Sequence, residues 1–436
     1  MSPAGDVLPS GPMNTLPRRK FLTLATRGAL AGAAWGRVPL SARAEGGPPA
    51  PPVSVGDDPV PVRLSVPLPR RWRAIASEGR LCWRATPSGD AEAASFPVQL
   101  LPDDGDRPPR LVALLPRQLA RTQSGRWEAA PRPAPADLQA RRNPATGQFE
   151  LTDRRRPVLR YNYAVVKPSP ALLRAVAPGN RIYAVARSDY VHPLHGLNGE
   201  ILTRDWSPDH PHHRGIYWAW PEVDWHGRRG DLHALQHVFA RPTGRCVVTG
   251  GPWCAQVDAE NLWHWENGPP IVRERALIRA WRATPAGRRV DLRFQFTALG
   301  EPVWLARRKT HLYGGLNLRL SRVRDQRIVK HTDPRGSRPR RSWGEVSGVF
   351  AAASRPSGLV ILPHAANPDY PGDWVDYPDL NWLQPTFPAA HTRHRLTPER
   401  PLTLRYRLWI HPGPAAEPAA CAAQWQAANA PFSPLA

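Results

Sequence analysis

The sequence predicts an all-β chain: a large antiparallel β-sandwich or supersandwich, preceded by a small N-terminal β module and closed by a short C-terminal helix. Three observations predict it. First, apolar and polar residues alternate along several segments. Val290, Leu292, Phe294 and Phe296 alternate with Asp291, Arg293, Gln295 and Thr297. Leu316, Leu318 and Leu320 alternate with Asn317 and Arg319. Leu402, Leu404, Tyr406, Leu408 and Ile410 alternate with Thr403, Arg405, Arg407 and Trp409. A period of two gives one buried and one polar face, as in antiparallel sheets. Second, turn signals such as Gly250-Gly251-Pro252 and Pro285-Ala286-Gly287 punctuate these segments. Third, helical periodicity is scarce, so the strands lack the crossover helices of a parallel sheet. No repeat of fixed period is visible, which disfavours a propeller.

Taken in order, residues 1–44 read as a twin-arginine signal peptide. Pro17-Arg18-Arg19-Lys20-Phe21-Leu22 is the signature, residues 24–35 are weakly apolar, and Ala42-Arg43-Ala44 is an A-x-A cleavage site. This predicts export to the periplasm or beyond. Residues 45–58 are rich in Pro and Gly and read as a linker. Residues 59–147 form a small β accessory module and a further linker. Val62, Leu64 and Val66 alternate with Arg63 and Ser65, and Trp83, Val98, Leu100 and the run 111–115 add short strands. The polar stretch 131–147 reads as the linker or a long loop. Residues 148–436 are the main β-sandwich domain, and within it only residues 415–428 look helical.

The formal net charge is +23, a balance that raises nucleic acid, membrane surfaces and acidic ligands as partners. Lys occurs only at Lys20, Lys167, Lys309 and Lys330, so nearly all the cations are Arg. They are dispersed, and no nucleic-acid motif accompanies them, so the sequence predicts no nucleic-acid partner. No run of 18 apolar residues occurs outside the leader, so no integral membrane association is expected. An anionic ligand stays open. Cys246 and Cys254 bracket a strand–turn–strand pattern and are candidates for a hairpin disulfide in an oxidising compartment. Two separate buried thiols are the alternative.

The candidate site lies in the window 192–220, HPLHGLNGEILTRDWSPDHPHHRGIYWAW. Of the chain's 15 His, eight fall between His192 and His237. Pro208 and Pro211 forbid a regular strand or helix across 207–215, and loops positioned by a rigid scaffold are where binding and catalytic groups concentrate. His210, His212 and His213 with Asp209, Arg214 and Tyr217 are the candidate catalytic residues. His192, His195, Trp218, Trp220, His311 and His364 are candidate substrate-binding residues. Three chemistries remain open. A His beside an Asp suits general acid–base catalysis, with Arg214 neutralising an anion. His210, His212 and His213 are alternative ligands for a divalent transition metal, although no H-E-x-x-H spacing is present, and no cofactor is otherwise implied. The loop imidazoles could instead hold backbone carbonyls. The Trp residues crowding this third of the domain suit stacking on sugar rings, or simply a β-sandwich core.

His192-Pro193-Leu194-His195-Gly196, then Leu202-Thr203-Arg204-Asp205, then Asp209-His210-Pro211-His212-His213-Arg214-Gly215 resemble the bacterial PmoA-like ("methane oxygenase PmoA") family. Tyr313-Gly314-Gly315-Leu316 and the stretch from His364 to Trp374 resemble its later landmarks, and the likeness spans about residues 157–412. A membrane monooxygenase subunit needs transmembrane helices that this sequence lacks. The resemblance instead implies a galactose-mutarotase-like supersandwich with its site on a sheet face. By that analogy the expected ligand is a carbohydrate, with lyase or epimerase/mutarotase chemistry. A metal-dependent hydrolase or oxygenase and a non-catalytic glycan-binding protein are the alternatives.

Overall fold

The computed structural model describes residues 60–64, 70–85, 94–102, 110–115 and 125–429. The expected signal peptide and the 45–58 linker lie outside the described residues. Among the described residues, two eight-stranded sheets dominate. The first runs, edge to edge, through Trp374–Tyr377, Trp382–Pro385, Gly315–Arg319, Ile216–Ala219, Tyr190–Leu194, Arg156–Asn162, Gln148–Asp153 and Leu138–Asn143. The second runs through Val238–Thr249, Cys254–Trp265, Pro270–Trp281, Arg288–Ala298, Leu402–Pro412, Ser357–Pro363, Ser342–Phe350 and Val323–Thr332. Neighbouring strands pair antiparallel throughout both. The predicted all-β, sandwich-like class therefore stands.

Alternation along the strands explains how the sheets meet. Val191, Ile216, Trp218, Leu316, Leu318 and Leu383 face inward and join Phe294, Phe296 and Tyr406 in one buried core. The Trp218 ring meets Phe294 at 4.9 Å and Phe296 at 5.0 Å, edge to face, a favoured aromatic geometry. The intervening positions Tyr190, His192, Tyr217, Asn317, Arg319, Trp382 and Gln384 must then share the opposite face of the first sheet, given the pairings Val191↔Ile216, Tyr217↔Asn317 and Arg319↔Trp382. That face carries the chemistry.

The helix Pro418–Asn429 forms where residues 415–428 predict one. It buries Ala420, Cys421 and Trp425 against Trp343, Val360, Leu362 and Trp409 on the outside of the second sheet. Two short helices, Arg70–Ser77 and Pro170–Ala175, lack a sequence expectation. They have eight and six residues, too short for a periodic signal. Ser169 caps the second by accepting from Leu172 N at 3.1 Å. Within the stretch read as linker, Leu138–Asn143 is instead a strand of the first sheet, paired with Gln148–Asp153. Its Arg141-Arg142 pair sits on a sheet edge, where polar residues are common and mask the strand period.

Residues 60–129 add two three-stranded sheets and the helix Arg70–Ser77. Gln99 binds them to the main body, its amide accepting from Trp253 N and Cys254 N at 3.0 Å each and donating to Cys254 O at 2.9 Å. No disulfide joins Cys246 and Cys254. Cys246 lies opposite Ala259 in the hairpin. Five residues separate Ala259 from Cys254, roughly 17 Å of strand at ~3.4 Å per residue, far beyond the ~7 Å that a bridge tolerates.

Candidate functional site

The loop 207–215 is pinned to the outer face of the first sheet by its own polar groups. Arg319, on the strand Gly315–Arg319, donates to Asp209 Oδ2 at 2.9 Å and to Ser207 Oγ at 3.2 Å. Ser207 Oγ also bonds Asp209 Oδ1. Successive turns follow, from His210 N to Ser207 O at 3.1 Å and from His213 N to His210 O at 2.9 Å. Gly215 closes the loop at φ +66°. A Cβ there would stand 2.3 Å from Val191 O, so only glycine lets the loop return this close to its neighbouring strand.

A second loop brings His233 over the same face. Asp231 Oδ1 accepts from Ala234 N at 2.8 Å, and Asp231 Oδ2 accepts from Arg308 Nη2 at 2.6 Å. Arg187, stacked 4.3 Å over the Tyr217 ring, donates to the backbone oxygens of Leu232 and His233. Tyr217 Oη lies 3.0 Å from His233 Nδ1.

The two loops converge on three imidazoles. One ring nitrogen from each of His212, His213 and His233 lies within 4.8 Å of the others. His213 and His233 are almost fully buried, at 1% and 2% exposure. Burial, joined by the neighbouring imidazoles and by Arg187, Arg308 and Arg319, disfavours their charged forms. It pushes His212 down to about 3 and His213 and His233 well below the usual histidine value. All three are therefore neutral, lone-pair-bearing rings at neutral pH. His212 Nδ1 and His213 Nδ1 are buried without a hydrogen-bond partner. So are Asn317 Oδ1 and Nδ2, Arg319 Nε and Nη1, Trp382 Nε1 and Gln384 Nε2 on the sheet beneath. Buried polar atoms are normally satisfied, and these eight lie on the loop and on the sheet face beneath it.

His210 sits at the rim. Its ring is 4.7 Å from His213, and its Nδ1 is 3.1 Å from Asp209 Oδ2. Burial raises the Asp209 carboxyl, but His210 and Arg319 outweigh this and hold it below its ordinary value. Trp382 stacks beside His213 and His233 at 5.0 and 5.9 Å. Tyr313 and Tyr377 continue the aromatic wall outward at 5.4 and 4.9 Å from Trp382.

Of the sequence-predicted residues, the fold thus brings together His210, His212, His213, Asp209 and Tyr217. Arg214 belongs to a neighbouring cluster: it pairs with Asp205, stacks 3.4 Å over Trp206 and bonds Tyr190 Oη. His192 lines a separate cleft with Asp205. The remaining candidates are placed elsewhere. Trp218 and Trp220 stack on each other at 4.6 Å inside the core, with exposures of 3% and 0%. His195 Nδ1 holds Gly199 O at 3.2 Å within a turn, and His311 Nδ1 holds Lys309 O at 2.7 Å while stacking on His391. His364 Nδ1 accepts from Ala366 N beyond the end of Ser357–Pro363, in the other sheet. The alternation that buries Trp218 also explains why it cannot reach ligand. Trp220→Ala is expected to cost about 3–5 kcal/mol of stability, read by denaturant unfolding, because the ring also donates to Phe387 O at 2.9 Å. Loss of ligand affinity at full stability would return Trp220 to the site.

Sequence reasoning counted His233 among the clustered histidines but assigned it no role. The signal was there: Asp231-Leu232-His233 sits at a tight turn just past the window. Arg187, Arg319 and Trp382 carried no local signal, since only sheet register brings them under the loop.

A family model described as a family of unknown function, DUF6807, matches residues 148–426. The chain belongs to that family. The resemblance of the 190–220 window to the PmoA-like family is thereby corrected, since the family that matches is a different one. No curated protein matches the chain. Among solved structures, a polysaccharide lyase is similar at 14% identity and a TM-score of 0.23, over 64% of this chain and 33% of that one. The chain thus spans about a third of that protein's length, and so slight a likeness bears on neither fold nor chemistry.

Proposed function

We propose that this chain is an exported metal-dependent enzyme acting on carbohydrate, with His212, His213 and His233 as ligands to a divalent transition metal. One observation carries the reading: three imidazoles held neutral converge their nitrogens within 4.8 Å. Metal ligands must be deprotonated, and imidazole suits zinc, copper, iron and nickel. Bonds of about 2.0–2.1 Å in a tetrahedron require nitrogens ~3.3 Å apart, which small ring rotations reach. Three protein ligands leave a position for substrate or water, the arrangement of catalytic rather than structural zinc sites.

The metal would polarise a substrate oxygen or lower the pKa of a bound water. His210, backed by Asp209 and standing against His213, is placed to carry a proton at the rim. Tyr313, Tyr377 and Trp382 offer flat faces to the C–H side of a sugar ring. Metal-free acid–base catalysis by His212 itself is disfavoured, because a ring pushed down to about 3 is a weak base near neutrality.

The chain, purified without a polyhistidine tag, should carry about one transition-metal ion per molecule by elemental analysis, or take one up from zinc, manganese, nickel or copper. Failure to retain or bind any of them would overturn the metal assignment. The metal-loaded protein should then release product from a glycan panel. Saturable glycan binding with no product at any protein concentration would leave a binding protein.

A further inference from the structure

A cleft of about 620 Å³ is lined by His192, Arg204, Asp205 and Arg355, and so borders the Asp205–Arg214 ion pair. Its size is that of a small-molecule site. Its acids are already committed. Asp205 is held by Arg214, by Tyr190 Oη at 3.1 Å and by Trp206 N at 3.0 Å. Glu200 accepts from Ser357 Oγ at 2.7 Å and from Asn198 N at 2.9 Å. Its donors are not. Arg204 and Arg355 line the cleft and form no ion pair among the described residues. His192 lines it as well, with Nδ1 2.9 Å from Thr203 Oγ1. Two guanidiniums without acidic partners suit an anion. Planar guanidinium forks can bind a carboxylate through two parallel hydrogen bonds.

We propose that this cleft is a second subsite that takes a carboxylate-bearing sugar, the uronate unit of an oligosaccharide. That the ligand is a sugar rests on the function proposed above; that it is an anion held by Arg204 and Arg355 does not.

The test is calorimetric titration of the full chain with trisaccharides of galacturonate, mannuronate and glucuronate, against neutral and sulfated trisaccharides of equal length. At least one uronate should bind about tenfold or more tighter than its neutral counterpart. The double variant Arg204→Gln/Arg355→Gln should lose about that factor while keeping its metal content, and added salt should weaken binding. Equal affinity for neutral sugars, equal affinity for sulfated ones, an unaffected double variant, or no binding by any uronate would each overturn the proposal. Chelation separates the two readings. Uronate binding that survives removal of metal shows the cleft acting independently of the metal, and uronate binding by a protein that never takes up metal leaves the cleft assignment standing while the metal assignment falls.

Discussion

His233→Ala is expected to lower the affinity for a divalent transition metal on the order of a thousandfold, because it removes one of three ligands from a site whose binding energy depends on all of them. The prediction separates His233 from its neighbours. Ring contacts link His212 and His213 to His210 as well as to His233, but His210 belongs to the rim pair with Asp209. His210→Ala should therefore leave metal content intact and lower turnover alone. Tyr217→Phe tests the support behind the ligand. The tautomer in which His233 Nδ1–H donates to the Tyr217 oxygen, 3.0 Å away, leaves the Nε2 lone pair available. Outer partners of this kind are typically worth ten- to a hundredfold in metal affinity. Zinc titration against a competing chelator, with circular dichroism to verify folding, reads all three variants. If His233→Ala keeps wild-type affinity while His210→Ala loses it, the ligand set is wrong.

The parts of this molecule legible in the sequence are those governed by local periodicity. The strands Arg288–Ala298, Gly315–Arg319 and Leu402–Pro412 follow from alternation, and Pro418–Asn429 from its Ala-rich run. The loop 207–215 follows from Pro208 and Pro211. What stayed hidden depends on register between distant strands. Arg319 reaches Asp209 only because Gly315–Arg319 pairs with Ile216–Ala219, and Trp382 reaches His213 only because its strand adds to the same edge. The same logic misplaced Trp218. Next to Tyr217 in sequence, it points the opposite way in the sheet, into Phe294 and Phe296. Nor does chain proximity tell Arg214 from His213: the backbone turns one toward Asp205 and the other toward His233.

Acidification is expected to destabilise the metal-free protein steeply from about pH 6.5 downward, and the three histidines set the sign. Their folded pKa values lie below the ordinary 6.5, so in this range the unfolded chain binds more protons than the folded one. Their contribution is fully present above 6.5 and is lost as pH falls. Each such group removes about 1.4 kcal/mol per pH unit, so the three together remove up to ~4 kcal/mol per unit, large against a typical stability of about 5–15 kcal/mol. Burial also holds His192, His195 and His394 below the ordinary value, which adds to the effect, and raises Asp231, which opposes it; one buried pair opposes it too. Burial raises the Glu274 carboxyl well above its ordinary value, and Asp189 beside it is raised as well. Their contribution is present at low pH and shrinks as pH rises, so acidification restores some of it. The raised carboxyls are fewer than the lowered imidazoles. The net slope keeps the sign of the histidines. Thermal unfolding from pH 7.5 to 4.5 should show Tm falling continuously below pH 6.5. Replacing His212 with Gln should flatten the slope, and loading with zinc should move the fall to lower pH, since a bound metal competes with the proton for the same lone pairs. A Tm that stays level to pH 5 would mean that the imidazoles are solvated or already paired, and with that the physical basis for the metal centre would go.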